Sequence, residues 1–589
     1  MSEISESAFA EKLNQLHESY DEKEHMLLLP FRTPGYHTTL KGGVVHPTIH
    51  ALNYAVALLD SKDKKNTQRA SRILRKVISL QDTDPSHNTY GIWPWFLEEP
   101  LSQMSPPDWN WADFCGKQLL QAAIDYTDVL EPDLQELLKA AIIHACKSIM
   151  KRDVGPDYTN ISLKGTYVTY VAGKHFNEPE ILAYAKNRLK ILYAYNMENG
   201  AFNEYNSPTY TVVAIEEIAS MLLHIRDQDA LDKIRDLNKM AWGCLAQHFH
   251  MPTRQWAGPH YRCYTNLLPK NTLSFIQIGT GGKVRFLTED DLDVSPSWVR
   301  MKLECPEEFY DYFLHPSDER IVSKTFHKGT GTAPDEKEYG YYNNDYVLSS
   351  FNRSVFWNQR RPLLAYMSTP EAPVYMQLRL LHDGYDYASG HLTCVQKKGA
   401  VLGMVNFFTD GGDTHLHLDR IQNSTITAAD LRLRLEFGGA VESVKSVMQT
   451  GDAAFEIHTN DLVISINCIE AAFDNNIIRL EQGKDEEKRW VDFILYAGVK
   501  RIFRLDAIEK AYAIFTLNIG RKKIIEAGGK ETHAEPIPGA FSVQCGDGLV
   551  TVTGKLGEEN DRESEKITMT VPAGPLPYLK MVAAIKKTP

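Results

Sequence analysis

The spacing of apolar residues changes along this chain of 589 residues, and that change restricts its fold more than any other feature. Up to about residue 315, segments such as DLQELLKAAIIHACKSIM and PEILAYAKNRLKILYAYN carry apolar residues three and four positions apart, as amphipathic helices do. From about residue 340, short runs such as VYMQLRLL and LVISINCIEAAF are rich in β-branched and aromatic residues and lie between Gly, Asp and Asn turns. The pattern predicts helices first and strands second.

The connections between these segments indicate how they assemble. Short links with Pro, Asp, Asn or Gly separate the helices, which therefore form antiparallel pairs that build a bundle, a solenoid or an α/α toroid. Many short strands without intervening helices predict a large antiparallel β-sandwich. Because 589 residues exceed what one hydrophobic core usually organises, we predict two domains, residues 1–315 helical and residues 316–589 an antiparallel β-sandwich.

Charge and hydropathy exclude several classes of partner. The chain has 76 acidic and 64 basic residues, and this excess of acid argues against nucleic acid, whose phosphates are bound by Lys and Arg. No stretch approaches the length of a transmembrane helix, so we expect no membrane partner. The N-terminal MSEISESAFAEKLNQLHESY lacks the apolar core of a secretory signal, which predicts a cytoplasmic protein. The oligomeric state is left open.

The eight cysteines lie far apart and form no CxxC pair. This spacing predicts reduced, mostly buried thiols in a reducing compartment and gives no metal site. We predict no cofactor, and a structural metal in the β-domain is left open.

Aromatic and polar residues gather in the loops of the helical half, in GIWPWFLEEP, PPDWNWADF, DYTNIS and WAGPHYRCYTN. A single Trp or Tyr in such a loop commonly plugs the end of a helix pair. Repetition over several loops favours a carbohydrate site instead, because flat apolar faces beside hydrogen-bonding groups suit sugar rings. The candidate substrate-binding residues from these loops are Trp93, Trp95, Trp109, Trp256, His260, Arg262 and Tyr264.

A further polar and aromatic cluster precedes the helix that follows Pro208. The segment NGAFNEYNSPTYTVVAIEEI resembles the corresponding segment of the heparinase II/III-like and alginate-lyase-like polysaccharide lyases. That resemblance implies an incomplete α/α toroid followed by an antiparallel β-sandwich. It also implies β-elimination on an acidic oligosaccharide or polysaccharide in a cleft between the two domains.

The resemblance implies three catalytic roles. Tyr210 corresponds to the tyrosine that serves as acid, and in some members as base. Asn160 matches the asparagine that neutralises the substrate carboxylate, although the chain has Thr159-Asn160-Ile161 where family members often have Asn-Asn-His. The third role falls to His391 of the β-domain.

The segment around His391 offers other candidates. Tyr387 is assigned to substrate binding, and His382 and Tyr385 lie nearby in the sequence. His415 and His417 are the alternative to His391, and their His-x-His spacing along a strand is also typical of metal ligands.

These residue types suit the removal of the C5 proton of a uronate. An amide that donates to the sugar carboxylate stabilises the enolate-like charge of the transition state. A phenol near C5 and the glycosidic oxygen can relay a proton. Glu204 and Asn206 would orient neighbours or sugar hydroxyls, and Arg262 or Arg254 would grip the carboxylate.

Two other functions remain open. A glycoside hydrolase on the same toroid would need two carboxylates flanking the scissile bond. Candidates are Glu98, Glu99, Asp108, Asp113 and Glu204. A non-catalytic carbohydrate-binding protein would keep the fold without turnover. Because we predict a cytoplasmic protein, we expect an imported oligosaccharide as substrate. We expect the Glu98-Glu99 region and the tryptophan-bearing loops to close one end of the cleft, which would make cleavage exolytic.

Overall fold

The structure is a computed structural model. It describes residues 3–588 except 302, 317, 330–332, 413–420, 451–452, 460, 522–523, 526–530, 533–540 and 557–565. The chain divides into two compact units. Unit 1 comprises Met1–Glu204, Thr209–Cys244 and Pro269–Tyr310, and unit 2 comprises Tyr205–Pro208, Leu245–Leu268 and Asp311–Pro589. The domain boundary between residues 315 and 316 stays a prediction.

Helices dominate the first half of the described chain. Their bounds are α1 Glu3–Glu18, α2 Thr48–Asp60, α3 Lys64–Ile78, α4 Trp111–Asp125, α5 Pro132–Arg152, α6 Thr159–His175, α7 Pro179–Asn199, α8 Tyr210–His224, α9 Gln228–His248, α10 Lys270–Gly279, α11 Pro296–Arg300 and α12 Asp311–Leu314. Short strands lie among them: β1 Tyr20–Asp21, β2 Met26–Leu27, β3 Leu29–Arg32, β4 Gly42–Val45, β5 Phe249–His250 and β6 Gln255–Trp256.

The helices of unit 1 form two layers. In the inner layer α2 packs on α4, α4 on α6 and α6 on α8, and in the outer layer α3 packs on α5 and α5 on α7. Every residue of α6 from Thr159 to Gly173 is buried, as expected for an inner helix. Because each outer helix returns the chain, the inner helices run in the same direction. The arrangement is an open α/α toroid, so the predicted helical half is confirmed.

A buried ionic cluster joins three inner helices. Lys117 Nζ of α4 lies 2.7 Å from Glu217 Oε1 of α8, and Lys164 of α6 donates to the same oxygen. All three side chains are at most 6% exposed. Lys117 and Lys164 together hold the pKa of the Glu217 carboxyl below its ordinary value, although burial alone would raise it. The cluster therefore depends on an ionised Glu217.

Unit 2 consists mainly of strands and also contains the end of α9, the short helix α12 and one further short helix. The remaining strands are β7 Glu319–His327, β8 Glu336–Asn343, β9 Tyr346–Phe351, β10 Arg353–Val355, β11 Leu363–Met367, β12 Val374–His382, β13 Tyr385–Asp386, β14 Gly390–Lys397, β15 Ala400–Phe407, β16 Thr425–Gly439, β17 Ser446–Gln449, β18 Ala454–His458, β19 Leu462–Phe473, β20 Arg479–Lys484, β21 Lys488–Arg504, β22 Ala511–Arg521, β23 Ile524–Ile525, β24 Glu531–Thr532, β25 Phe541–Gly546, β26 Leu549–Lys555, β27 Lys566–Pro572 and β28 Lys586–Thr588. The further helix is α13 Tyr578–Ala584.

Three antiparallel sheets form the body of unit 2. Over the described residues, one sheet has the order β10-β14-β15-β22-β19-β18-β17, a second β20-β21-β16-β12-β11-β9-β8-β7 with β13 beside β12, and a third β25-β26-β27-β28. The first two sheets enclose the main core, which contains Leu378, Leu433 and Phe515. The other face of the first sheet packs, through Leu402 and residues like it, on the third sheet. The predicted antiparallel sandwich is therefore confirmed, with an added third layer.

Two properties of the whole described chain complete the fold. No helix within the described residues is both long and apolar enough to cross a bilayer. All eight cysteines are free thiols; six are buried, Cys244 is half-buried and Cys545 is exposed. The predicted burial of most thiols is confirmed.

The ionic cluster yields a stability prediction. Glu217→Gln should lower the free energy of unfolding by roughly 3–5 kcal/mol, because it leaves Lys117 and Lys164 buried without the carboxylate that they share. Asp229→Asn is the control: it removes the exposed partner of Lys233 and should cost at most about 1 kcal/mol. Urea denaturation of both variants measures the difference, and equal effects would contradict a structural role for the cluster.

Candidate functional site

The parallel inner helices bring their first residues to one end of unit 1. We call the surface formed by the starts of α2, α4, α6 and α8 and the loops before them the N-terminal rim. Neighbouring starts are linked: Trp111 Nε1 donates to Thr48 Oγ1 at 3.0 Å, and Arg152 donates to Asn110, just before α4. Because the positive ends of the helix dipoles meet there, the rim favours anionic groups, whether carboxylates of the protein or a ligand.

The carboxylate of Glu204 ties the start of α6 to the loop before α8. Its Oε2 accepts hydrogen bonds from Asn160 N at 2.9 Å and Asn160 Nδ2 at 2.8 Å, and Glu204 N donates to Thr159 Oγ1 at 3.3 Å. Asn160 and Glu204 are both buried. Glu204 therefore acts as an N-terminal cap of α6 supplied by another loop.

Tyr210 is the first residue of α8 and is half-buried. It follows Glu204 by six positions, and α8 packs directly on α6. Asn160 and Tyr210 thus belong to the starts of neighbouring helices at the same end of unit 1. Their convergence on one sugar stays a prediction.

Tyr205–Pro208, which lie between Glu204 and Tyr210, belong to unit 2. Asn206 Oδ1 accepts from Trp256 Nε1 at 2.6 Å, and Asn206 Nδ2 donates to the carbonyls of Ala257 and Pro259, each at 2.9 Å. His260 Nδ1 donates to the Asn206 carbonyl at 2.6 Å, and burial lowers the pKa of His260 to about 3, so its ring is neutral. Asn206, Trp256 and His260 are enclosed side chains, and their contact with a substrate stays a prediction.

Tyr205 takes part in a buried acid–base network that the sequence did not reveal. Its ring stacks on Phe326 at a centroid distance of 4.4 Å, and its hydroxyl donates to Glu338. His248 Nε2 lies 2.7 Å from the other oxygen of the same carboxylate. Partners more than 40 and 130 positions away cannot be read from the local pattern.

Half-buried aromatic rings line the N-terminal rim. Trp95 lies against Trp111 with ring centroids 5.2 Å apart, and its Nε1 donates to Asp108 Oδ2 at 3.2 Å. Tyr36 and His37, which are not among the predicted site residues, have ring centroids 6.3 and 5.2 Å from that of Trp95. Their position in the loop before α2, after a Pro-Gly turn, was the available signal.

The other two tryptophans of these loops have different surroundings. Trp109 is half-buried and donates from Nε1 to the Asn88 carbonyl at 3.0 Å. Trp93 is fully buried and donates to the Val77 carbonyl at 2.9 Å, so it fills the helical core as a plug. A substrate-binding role for either stays a prediction.

Most carboxylates proposed for a hydrolase are engaged within the protein. Glu98 accepts from the backbone N and Nδ1 of His46 at 3.0 and 2.5 Å. Glu99 is buried and accepts from Thr39 N and Oγ1, both at 2.6 Å. Asp108 accepts from the Asn110 backbone at 3.0 Å in addition to Trp95. These bonds position loops, and Glu99 Oε2 is buried without a hydrogen-bond partner among the described residues.

Asp113, in the first turn of α4, is a different case. Its carboxyl is buried, and Oδ1 has no hydrogen-bond partner among the described residues. Burial raises the pKa of Asp113 to about 7, although the nearby Arg188 guanidinium lowers it. A close approach of α6 encloses the carboxyl, because a Cβ on Gly165 would lie 2.5 Å from Oδ1.

The predicted site residues of the β-domain lie in unit 2. His391, in β14, is 2% exposed, and its Nδ1 lies 3.3 Å from Thr393 Oγ1. Burial and then the charge of Arg353 lower the pKa of His391 to about 3. Tyr387 is buried in the main core and His382 is buried as well. Their catalytic and binding roles stay predictions.

His415 and His417 lie outside the described residues. Arg262 donates from Nε to Gln359 Oε1 at 2.9 Å and from Nη2 to the Tyr264 hydroxyl at 3.1 Å. Its guanidinium also lies 4.9 Å from the ring centroid of Trp357. Tyr264 is 49% exposed, so this group is accessible, and its sugar-binding role stays a prediction.

The Asp113 carboxyl generates a pH prediction. Because its pKa rises from 3.8 to about 7 on folding, its contribution to stability is present below pH 3.8 and is lost as the pH rises towards 7. Asp113→Asn should remove this loss, so the variant should gain stability over wild type by a few kcal/mol, on the order of 1.4 per pH unit, between about pH 4 and 7. Urea denaturation over that range tests it. The exposed Asp128→Asn serves as control, and a pH-independent difference for Asp113→Asn would contradict a buried neutral carboxyl.

Comparison with known proteins gives limited similarity. Residues 6–277 match a protein-family model described as "Domain of unknown function (DUF8769)", and no curated protein matches. Similar solved structures include heparinase III, with 11% identity and a TM-score of 0.41 over 89% of this chain and 82% of that chain. Another is heparan sulfate lyase HepC from Pedobacter heparinus, with 10% identity and a TM-score of 0.38 over 89% of this chain and 81% of that chain. At this level of similarity, function has to be inferred from the chain's own residues.

Proposed function

We propose that this protein is a carbohydrate-active enzyme, a lyase that cleaves a uronate-containing oligosaccharide or polysaccharide by β-elimination. One observation carries the proposal: an amide, Asn160, and a phenol, Tyr210, stand at the starts of two inner helices that pack on each other. These are the two groups that removal of a proton beside a sugar carboxylate requires.

The N-terminal rim has the physical character of an acidic-sugar site. The aligned helix starts contribute a positive electrostatic potential, which the carboxylates of Asp108 and Glu204 at the starts of α4 and α6 partly offset. Half-buried rings such as Trp95 and Trp111 offer flat apolar faces, and their indole nitrogens are already bonded to the protein. Such rings are held in place before a sugar binds, which lowers the entropic cost of binding.

Asn160 would donate to the uronate carboxylate. An amide nitrogen carries two hydrogens, and the contact with Glu204 uses one of them. The remaining hydrogen can serve the substrate, while Glu204 fixes the orientation of the amide. Donation to the carboxylate would stabilise the negative charge that develops when the C5 proton leaves. In this proposal Glu204 is a positioning residue.

Tyr210 would move the proton. Its phenol would take the C5 proton or protonate the glycosidic oxygen as the bond to the leaving sugar breaks. His391 remains the proposed third residue. Burial and the charge of Arg353 lower its pKa to about 3, so the imidazole is neutral near pH 7 and is a weaker base than an exposed histidine.

A glycoside hydrolase is the second candidate, and Asp113 is the observation that favours it. A carboxyl with a pKa of about 7 has the property of a general acid. A hydrolase also needs an ionised carboxylate across the bond. Glu98, Glu99 and Asp108 are engaged in internal hydrogen bonds, so the lyase is preferred.

Tyr210→Phe tests the lyase. The variant keeps the ring and removes the proton-carrying hydroxyl, so kcat should fall by roughly 10²–10⁴-fold with little change in stability. Uronate-containing oligosaccharides provide the assay, since elimination creates an unsaturated uronate that absorbs ultraviolet light. Tyr193→Phe on α7 is the matched control, because it removes a hydroxyl that donates to the exposed Asp236, and it should keep full activity.

The product distinguishes the alternatives. If cleavage yields new reducing ends but no product that absorbs ultraviolet light, the protein is a hydrolase and not a lyase. Binding of acidic sugars without any cleavage would indicate the non-catalytic protein. Wild-type turnover by Tyr210→Phe would remove Tyr210 from the mechanism even if products of elimination are formed.

A further inference from the structure

Unit 2 contains a cavity with polar and apolar lining, and one wall residue, Thr393, lies 3.3 Å from Nδ1 of the predicted catalytic residue His391. Its volume is about 680 Å3, within the roughly 300–1,000 Å3 of small-molecule sites. Residues from β8, β9, β10 and β14 contribute to its wall, including Lys337, Ser350, Arg353, Thr393 and Gln396. Hydroxyl, amide and cationic groups on one wall suit a hydroxylated, negatively charged molecule better than an apolar one.

Arg353 is the unusual member of this wall. It is the first residue of β10, the edge strand of its sheet, and pairs with Thr393 of β14. The side chain is only 7% exposed, and its Nη2 has no hydrogen-bond partner among the described residues. Burial of a guanidinium nitrogen without a hydrogen-bond partner is unfavourable, and folded proteins rarely keep such a group unless it serves a purpose.

The surrounding acids do not satisfy Arg353. Glu338 also lines the cavity, but its carboxylate binds Tyr205 and His248. Asp335 accepts from the backbone of Gly329. Glu336 acts on Arg353 only through space and makes no hydrogen bond with it within the described chain.

The polar neighbours are also held in place. Ser350 Oγ donates to Gln396 Oε1 at 2.7 Å, and Asn352 Oδ1 accepts from Lys337 N at 2.8 Å. A wall with fixed neighbours and one buried cation is organised before a ligand arrives, as a binding site requires.

We propose that this cavity binds a small hydroxylated organic anion whose carboxylate, phosphate or sulfate group is held by Arg353. The planar guanidinium fork matches all three oxyanions, and a charge-assisted bond in a shielded cavity is stronger than one in water. The hydroxyls of the ligand would meet the side chains of Ser350, Thr393 and Gln396. The proposal concerns binding in unit 2 and does not depend on the lyase reaction.

Isothermal titration calorimetry on the full chain tests the proposal. The probes are glucuronate, glucose 6-phosphate, glucose 6-sulfate, inorganic phosphate and uncharged glucose. At least one of the three sugar anions should bind, and glucose should not bind. The sugar anion with the highest affinity identifies the oxyanion that Arg353 prefers. If inorganic phosphate binds more tightly than every sugar anion, the proposal of an organic ligand is wrong. If none of the anions binds, the cavity is not an anion-binding site.

Two variants connect the binding to Arg353. Arg353→Met should weaken the best anion at least tenfold and, without ligand, raise Tm by roughly 2–4 °C, because it removes an unpaired buried charge. Arg353→Lys keeps the charge but loses the fork, and it should bind with intermediate affinity. Arg479→Met, at an exposed position of the edge strand β20, should change neither quantity.

The same measurement separates this site from the N-terminal rim. In Asn160→Ala the Arg353-dependent binding should persist unchanged, whatever happens to turnover. If Arg353→Met retains wild-type affinity, or if Asn160→Ala abolishes the binding, the anion is held elsewhere and the proposal is wrong.

Discussion

The hydrogen bonds from two lysines to one glutamate hold the inner helices of unit 1 together, and the rest of the structure depends on the packing of these helices. Glu217 accepts from Lys117 and Lys164, so three inner helices are joined through almost fully buried side chains. A salt bridge of this kind contributes little net stability, but it penalises any arrangement that separates its members. It therefore favours one register of the inner helices, and that register brings the starts of α4, α6 and α8 to one end.

Most of the fold could be predicted from the periodicity of apolar residues in the sequence. The inner helix α6, buried along nearly its whole length, and the alternating outer helices follow from apolar spacing, as do the antiparallel strands. Spacing could not choose between a solenoid and a toroid, because that choice depends on which helices pack on each other in space. It also could not foresee the third sheet layer, since a strand buried on both faces, such as β15, has no polar alternation to display.

The candidate site was less accessible to sequence reasoning. The polar and aromatic residues before α8 form one cluster in the sequence, but their partners differ. Glu204 binds the start of α6, whereas Tyr205 and Asn206 form hydrogen bonds with side chains of unit 2. Similarly, Trp93 and Trp95 are two positions apart, but only Trp95 reaches the N-terminal rim. Residue type predicts that such side chains need partners. Which partners they find is decided by contacts between distant segments.

The assignment of Tyr205–Pro208 and Leu245–Leu268 to unit 2, although unit 1 surrounds them in the sequence, has a consequence for how the protein can be divided. A single protease cut cannot release either unit whole, because the backbone passes from one to the other and back again. A shortened gene that ends at Tyr310 would retain both inserted segments without the sheets that complete their unit, including Glu338 as partner of Tyr205. Two units that share their chain in this way belong to one gene product that has to be synthesised and inherited intact.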